Sequence, residues 1–264
     1  MNSKDPRPRL DSAAINSKLP SSVRSAVALS IQKTVESTND AVVSVFSNSS
    51  GALFAVSTAD EQTAGRGRLD RTWNSPFGAG VAMSLAFSAD SLPHALTLIP
   101  LHFGVIVADV LADLGAAVQL KWPNDIVIFE GDGTMRKLGG ILCQKIGPTV
   151  VVGIGLNVSL THEELPTPQA TSLGIAGFRV SREEFIAGVI SRGYELLADS
   201  NHNAGWLADY ERLCSTLNRN VEVQQADGIT FSACATGVDS AGGLIVERDG
   251  KSLVVTVGDI IHLR

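Results

Sequence analysis

Apolar and polar positions along this chain change period several times, and each change marks an element. Val27 to Lys33 reads as a short strand, and Ser37-Thr38-Asn39-Asp40 then opens a helix reaching about Phe46. Leu53 to Thr58 is a second strand, followed by a polar, glycine-rich loop through Gly67. Val81 to Phe87 is short, apolar and preceded by Gly78 and Gly80, which suits a buried strand. Leu96, Ile99, Phe103, Ile106, Val107, Val110, Leu111 and Leu114 recur at helical spacing, and Gly115 ends that helix. Strands follow at Val118 to Trp122, Ile126 to Phe129, Leu138 to Ile146 and Thr149 to Val158. Ser181-Arg182-Glu183-Glu184 is a capping box for a helix to about Leu197, and a last helix covers about Ala204 to Cys214.

Beyond Leu217 the period becomes that of short strands: Val221 to Gln224, Ile229 to Thr236, Gly242 to Glu247 and Leu253 to Val257. Turns at Asp227-Gly228, Ala241-Gly242-Gly243 and Asp249-Gly250 separate them, which suits a small barrel. Met1 to Ser25 is polar, carries Pro6, Pro8 and Pro20, and shows no apolar core stretch. It reads as a flexible tail, neither signal peptide nor membrane anchor. The predicted division is a tail over 1–26, a main domain over 27–216 and a small β domain over 217–264.

Composition narrows the function classes. With 44% hydrophobic and 18% charged residues among 264, the chain is globular rather than disordered. A net charge of −6 gives no overall attraction to a nucleic-acid backbone, although a few arginines in one loop can still hold an anion. Cys143, Cys214 and Cys234 are odd in number and lack ligand spacing, so neither disulfides nor a zinc site is indicated. No run reaches the roughly 20 apolar residues that span a bilayer. A soluble, cytoplasmic protein is expected.

Five segments carry candidate chemistry. In residues 61–73, Gly65 and Gly67 permit close backbone approach to a ligand, while Arg66, Arg68 and Arg71 can fork onto carboxylate or phosphate oxygens. Trp73 either covers an apolar part of that ligand or seats the loop on the core; a solvated basic turn is the plainer alternative. Lys121-Trp122-Pro123-Asn124-Asp125 delivers Asn124 and Asp125 to a loop at a strand end, to hold a metal-bound phosphate, orient an amine, or simply turn the chain. Lys137 leads into Gly139 and Gly140, either against a ligand on the sheet or into solvent. Gly153-Ile154-Gly155-Leu156-Asn157 is no dinucleotide fingerprint, because no helix or third glycine follows; its glycines let a flat ligand lie on the strand. Ser37-Thr38-Asn39 serves as a helix N-cap or a ligand contact.

In this order the five segments resemble the bacterial biotin protein ligase family. The resemblance rests on Ser37-Thr38-Asn39, Gln62 with GRGR at 65–68, Arg71, Trp73, KWPND at 121–125, KLGGIL at 137–142, GIGLN at 153–157 and Ala170-Thr171-Ser172-Leu173. It implies an α+β fold, a mixed sheet packed with helices followed by a small SH3-like β-barrel. It also implies biotin and biotinyl-adenylate contacts from Ser37, Thr38, Asn39, Gln62, Arg66, Gly67, Arg68 and Lys137, with Gly65, Gly153 and Gly155 beside them. Arg71, Trp73, Lys121, Asn124, Asp125 and Asn157 match the region of ATP and the acceptor; Lys137, Arg66 and Asp125 are the candidates for catalysis. Position 70 departs from the pattern, being Asp where the family usually has Gly; Asp tolerates left-handed backbone better than most residues.

The implied reaction joins biotin to ATP as biotinyl-5′-AMP, then to a lysine of a biotin carboxyl carrier domain, as in acetyl-CoA, acyl-CoA or pyruvate carboxylase. Mg2+ would accompany ATP, near Asp125. A lipoate or octanoate ligase is the nearest rival; a biotin-sensing repressor or a non-catalytic biotin-binding protein is the rival from another class. Residues 1–33 offer no DNA-binding helix pair, so no DNA partner and no membrane partner are expected, and a monomer or weak homodimer is.

Overall fold

The structure, a computed structural model, describes residues 7–69, 71–92, 95–198, 205–225 and 228–263. Asp70, the predicted helix start at Ala204 and Asp227 of a predicted turn lie outside the described residues. The main sheet comprises β1 (Val27–Val35), β2 (Phe54–Arg66), β3 (Thr72–Ser75), β4 (Gly80–Ser88), β5 (Gln119–Lys121), β6 (Asp125–Phe129), β7 (Met135–Ile146) and β8 (Thr149–Asn157). Its order is β1-β2-β4-β8-β7-β6-β5, with β3 off this path on β2. β1 and β2 pair in parallel and the other neighbours antiparallel, so the sheet is mixed, as expected.

The two-residue period of the central strands builds two unlike faces. Val81, Met83, Leu85 and Phe87 of β4 enter the main core with Val150, Val152, Ile154 and Leu156 of β8. The other face is made of small residues, since Ala82 lies opposite Gly155, Ser84 opposite Gly153 and Ala86 opposite Val151. α4 (Ile99–Asp113) and α5 (Arg182–Ala198) cover the large-residue face, joined by α6 (Trp206–Leu213). α3 (Thr38–Ser47) lies on the small-residue face, where Val42 settles on Ala55, Ala86 and Val151. Beyond α3 the glycine-lined floor stays open, and that opening is the site. Leu96–Asp113 is long and apolar enough to cross a membrane by length and composition, with mean hydropathy 1.7, but 67% of that window is buried inside the fold.

Four features differ from the sequence reading. The N-terminal segment is not a loose tail: α1 (Ser12–Lys18) and α2 (Ser21–Ala26) form, and Ile15, Leu19 and Val23 are buried. Ile15 lies on α1 and Val23 on α2, with Leu19 in extended backbone between them, so no continuous helical stripe announces them in the sequence. The glycine-rich stretch is not all loop, because β2 continues through Arg66 and β3 folds back on it, with Gly65 opposite Trp73. β13 (Gly258–His262) is a further strand. It joins β9 (Arg219–Gln225), β10 (Thr230–Val238), β11 (Leu244–Arg248) and β12 (Lys251–Val255) in an antiparallel sheet ordered β12-β11-β10-β9-β13. That hydrogen-bonded path is open at β12 and β13, so the expected small barrel is an open five-stranded sheet. Its Val221, Val223, Leu244 and Val246 belong to the same continuous apolar cluster as the main domain.

Candidate active site

The open floor leads into a cavity of about 490 Å³. One end is neutral and rich in hydrogen-bonding groups. Ser37 occupies the N-cap position of α3, yet its hydroxyl makes no capping hydrogen bond and remains available in the cavity wall. Capping falls instead to Gln62, whose Oε1 accepts from the Thr38 amide at 2.9 Å and the Thr38 hydroxyl at 3.1 Å. Ser84 Oγ stands 2.7 Å from Thr38 Oγ1 and 2.6 Å from Asn39 Oδ1, and Asn39 Nδ2 donates to Gln144 Oε1 at 2.7 Å. A hydroxyl has one proton, so Ser84 cannot satisfy both neighbours fully, and an acceptor is left for a ligand N–H. Thr38, Asn39 and Gln62 are buried, which makes this network rigid and exacting.

Glycines make the floor possible. A Cβ on Gly153 would stand 2.2 Å from Asn39 Oδ1, and one on Gly155 would stand 2.5 Å from the Trp73 ring. A Cβ on Gly65 would meet the Gln62 amide at 2.1 Å. The Trp73 ring therefore lies directly against the Gly155 floor, and its strand pairs with Gly65 of the arginine loop.

The other end gathers charge. Arg66, Arg68, Arg71, Lys121 and Lys137 line the cavity against two carboxylates, Asp125 and Asp259, so the site is cationic within an acidic chain. Lys137 Nζ lies 2.5 Å from Asp125 Oδ1. Main-chain bonds fix Lys137 on both sides, its N–H donating to Gln169 O at 2.8 Å and its carbonyl accepting from Thr171 at 2.9 Å. Asn124 is locked by Nδ2 donating to Ile141 O at 2.8 Å, and its Oδ1 accepts from Arg68 at 3.3 Å. Arg66 pairs with Asp40 at the exposed rim. Burial pulls the Lys121 ammonium and the Arg68 guanidinium below their usual ranges, with Asp125 opposing for Lys121 and Asp259 for Arg68. An arriving anion would relieve that cost.

The C-terminal sheet closes this end. Arg68 donates to Gly258 O at 3.1 Å and Arg71 pairs with Asp259, while Gln224, Ile260 and Ile261 complete the wall. The only local signal for Asp259 in the sequence is an acid between a glycine and an apolar pair, Gly258-Asp259-Ile260-Ile261.

All the predicted residues except Gly65 line the cavity, and Gly65 lies directly behind it under Gln62. Asn157 is buried, with its amide donating to Thr171 O at 2.9 Å. Ser84, Gln144, Pro166, Thr167 and Asp259 were missed; they belong to segments without a motif. For a divalent cation the chain offers little, as no group of three His, Cys, Asp or Glu comes together among the described residues. Asp125 is already held by Lys137. A Mg2+ ion therefore fits here as part of the nucleotide, carried by phosphate oxygens and water.

A polar pocket for a flat neutral head beside a cationic pocket for phosphates defines a ligase-type site that joins a small acid to a nucleotide. Residues 31–160 match the Biotin/lipoate A/B protein ligase family, and residues 216–263 match the biotin protein ligase C-terminal domain. The chain is 32% identical to the biotin–[acetyl-CoA-carboxylase] ligase of Mycobacterium tuberculosis over 98% of this chain and 97% of that one. It is 34% identical over 202 residues to the bifunctional ligase/repressor BirA of Escherichia coli, covering 73% of this chain and 61% of that protein's length. Among solved structures, the Aquifex aeolicus biotin protein ligase in complex with biotin and ATP superimposes with TM-score 0.73 at 25% identity, covering 89% and 98% of the two chains. The chain belongs to the biotin protein ligase family.

Proposed function

We propose that this protein activates biotin with ATP and transfers it to a lysine of a biotin carboxyl carrier domain, that of acetyl-CoA carboxylase in the first instance. The observation carrying this reading is the two-ended cavity: one end a buried amide and hydroxyl network, the other five cations in one wall. A ureido ring presents N–H and C=O groups that match the Ser37–Asn39, Gln62 and Ser84 network. A dithiolane or plain acyl chain would leave those buried groups unpaired, at about 1–3 kcal/mol each. The lipoate or octanoate reading therefore fits this end poorly.

In the first step a carboxylate oxygen attacks the α-phosphorus. The new C–O–P bond forms as the bond to the β-phosphate oxygen breaks, and pyrophosphate leaves with the electron pair. Two anions must meet, and the chain's task is to hold them and screen their repulsion. Lys137 and Arg66 bridge carboxylate and α-phosphate; Arg68, Arg71 and Lys121 hold the remaining phosphate charge; Trp73 shields the floor. Magnesium arrives with ATP and neutralises phosphate charge. In the second step the carrier lysine's nitrogen attacks the acyl carbon, AMP departs, and the amine gives up a proton. Asp125, beside Lys137, is the group placed to orient that ammonium before it loses its proton. This chemistry involves neither DNA nor a membrane surface.

Biotin-dependent exchange of labelled pyrophosphate into ATP tests the first step, and biotinylation of a purified carrier domain tests the second. Exchange supported by lipoate or octanoate but not by biotin would overturn the reading. So would biotin binding without exchange.

A further inference from the structure

The outer wall of the cavity is a single stretch of chain. Pro166, Thr167 and Ala170 line the main cavity on one side and a second cavity of about 330 Å³ on the other. A segment with space on both faces relies on discrete pins, among them Arg136 Nη1 donating to Pro168 O at 2.5 Å and Asn157 Nδ2 donating to Thr171 O at 2.9 Å. The same stretch carries Gln169 and Thr171, whose main chain brackets Lys137 from both sides at 2.8 and 2.9 Å. Displacing the wall would break both of these main-chain bonds to Lys137.

The geometry points to Arg7 as a positioning residue that fixes this wall and, through it, Lys137; the consequence for catalysis rests on the ligase reading above. Arg7 forks onto Glu164, Nη1 to Oε1 at 3.0 Å and Nη2 to Oε2 at 2.6 Å, and Nη2 also donates to Ser159 O at 3.0 Å. Glu164 Oε2 accepts from the Thr161 amide at 2.9 Å as well, so one carboxylate gathers the strand exit and the wall into a single knot. Only Leu165 separates Glu164 from Pro166.

Arg7 is itself held. Asp60 Oδ1 accepts from the Leu10 amide at 2.8 Å and from Arg182 at 3.2 Å, and Arg182 donates to Pro8 O. Asp60 and Arg182 are buried, so the segment bearing Arg7 is anchored to β2 and α5 by a desolvated ion pair. Gly78 leaves room for it, since a Cβ there would stand 2.6 Å from Arg7 Cβ. Residue 7 lies before residues 31–160, which the family model matches.

The test has two readouts. In hydrogen–deuterium exchange, Arg7→Ala should raise exchange at the Lys137 and Thr171 amides roughly tenfold, a local opening, with β4 amides unchanged. The conservative variant Arg7→Lys, which keeps the charge but cannot fork, should recover part of the protection. In a double-mutant cycle on pyrophosphate exchange, Arg7→Ala should lower kcat roughly tenfold in the wild type and less than about twofold in a Lys137→Ala background, since residues acting as one unit are not additive. Unchanged amide protection in Arg7→Ala would overturn the inference whatever the enzyme does. Normal protection change with additive kinetic losses would overturn the link to Lys137. Failure of the wild type to catalyse biotin-dependent exchange would instead sink the ligase reading and leave the amide readout to decide this one.

Discussion

Arg71 of the glycine-rich loop is ion-paired with Asp259 on β13, 188 residues away, and Arg68 of the same loop donates to the carbonyl of Gly258. The last strand thereby latches a loop whose arginines would otherwise repel one another. The latch is partly exposed, with Asp259 at 21% and Arg71 at 63% side-chain exposure, so its worth lies in placement more than in stability.

Removing Asp259 should therefore act on nucleotide more than on biotin. Asp259→Ala is expected to raise the KM for ATP about tenfold, the scale of one charge-assisted contact, while biotin affinity stays within about twofold. Pyrophosphate exchange at varied ATP gives the first value and calorimetric biotin titration the second. Equal loss of biotin affinity would show that the latch holds the whole cavity rather than its cationic end.

The glycine floor gives a steric prediction. Gly153→Ala and Gly155→Ala each place a methyl within 2.5 Å of Asn39 Oδ1 or the Trp73 ring. Overpacking of this kind costs about 1–3 kcal/mol, and here the displaced atoms are those that would face the ligand. Biotin affinity should drop at least about tenfold in both variants. Gly131→Ala, whose added Cβ meets nothing within 4 Å, is the control and should bind normally.

Much of this site was legible because its chemistry comes in contiguous runs. GRGR, KWPND and GIGLN each occupy one strand end or one strand, and the two-residue period alone places Gly153 and Gly155 on one face. What sequence could not supply was partnership. Ser84 sits in an apolar strand and looks like a tolerated polar residue until β8 sets it opposite Gly153. Asp259 and Arg7 act on residues more than 150 positions away, and no local pattern encodes such distances. The N-terminal helices failed for another reason. Ile15 falls on α1, Val23 on α2 and Leu19 on the extended link between them, too few on either helix for periodicity to show beside the prolines.

His262 gives a pH dependence with a definite sign. Burial first, then the Lys121 and Arg219 charges, hold its pKa down at about 4, against an ordinary 6.5. Its Nε2 lies 3.2 Å from Thr216 Oγ1, at the junction of the C-terminal sheet with the main domain. Because the folded ring resists protonation while the unfolded ring accepts a proton below about 6.5, its contribution is complete above that pH. It is lost progressively as pH falls from about 6.5 towards 4. Melting temperatures across that window should decline less steeply for His262→Asn than for the wild type. Parallel declines would mean that His262 is not the group being protonated.

The C-terminal sheet shares its apolar core with the main domain. Trp122, 2% exposed, donates its indole N–H to Gly242 O at 2.9 Å, and its own amide donates to Thr216 Oγ1 at 3.1 Å. The sheet's apolar residues share one cluster with α4 and β8, so deletion after residue 217 would uncover the core beneath KWPND. Such a truncation should not fold well enough to bind anything. Trp122→Phe is the finer probe: it keeps most of the apolar volume but leaves the Gly242 carbonyl without its indole donor. That loss costs about 1–3 kcal/mol, or roughly 2–10 °C in melting temperature for a chain of this size. Because Trp122 stands two and three positions before Asn124 and Asp125, transfer to the carrier should fall further than biotin affinity does. A folded truncation with normal biotin affinity would show that the sheet is dispensable to the main domain, and a Trp122→Phe protein melting like the wild type would remove the indole contact from the interface.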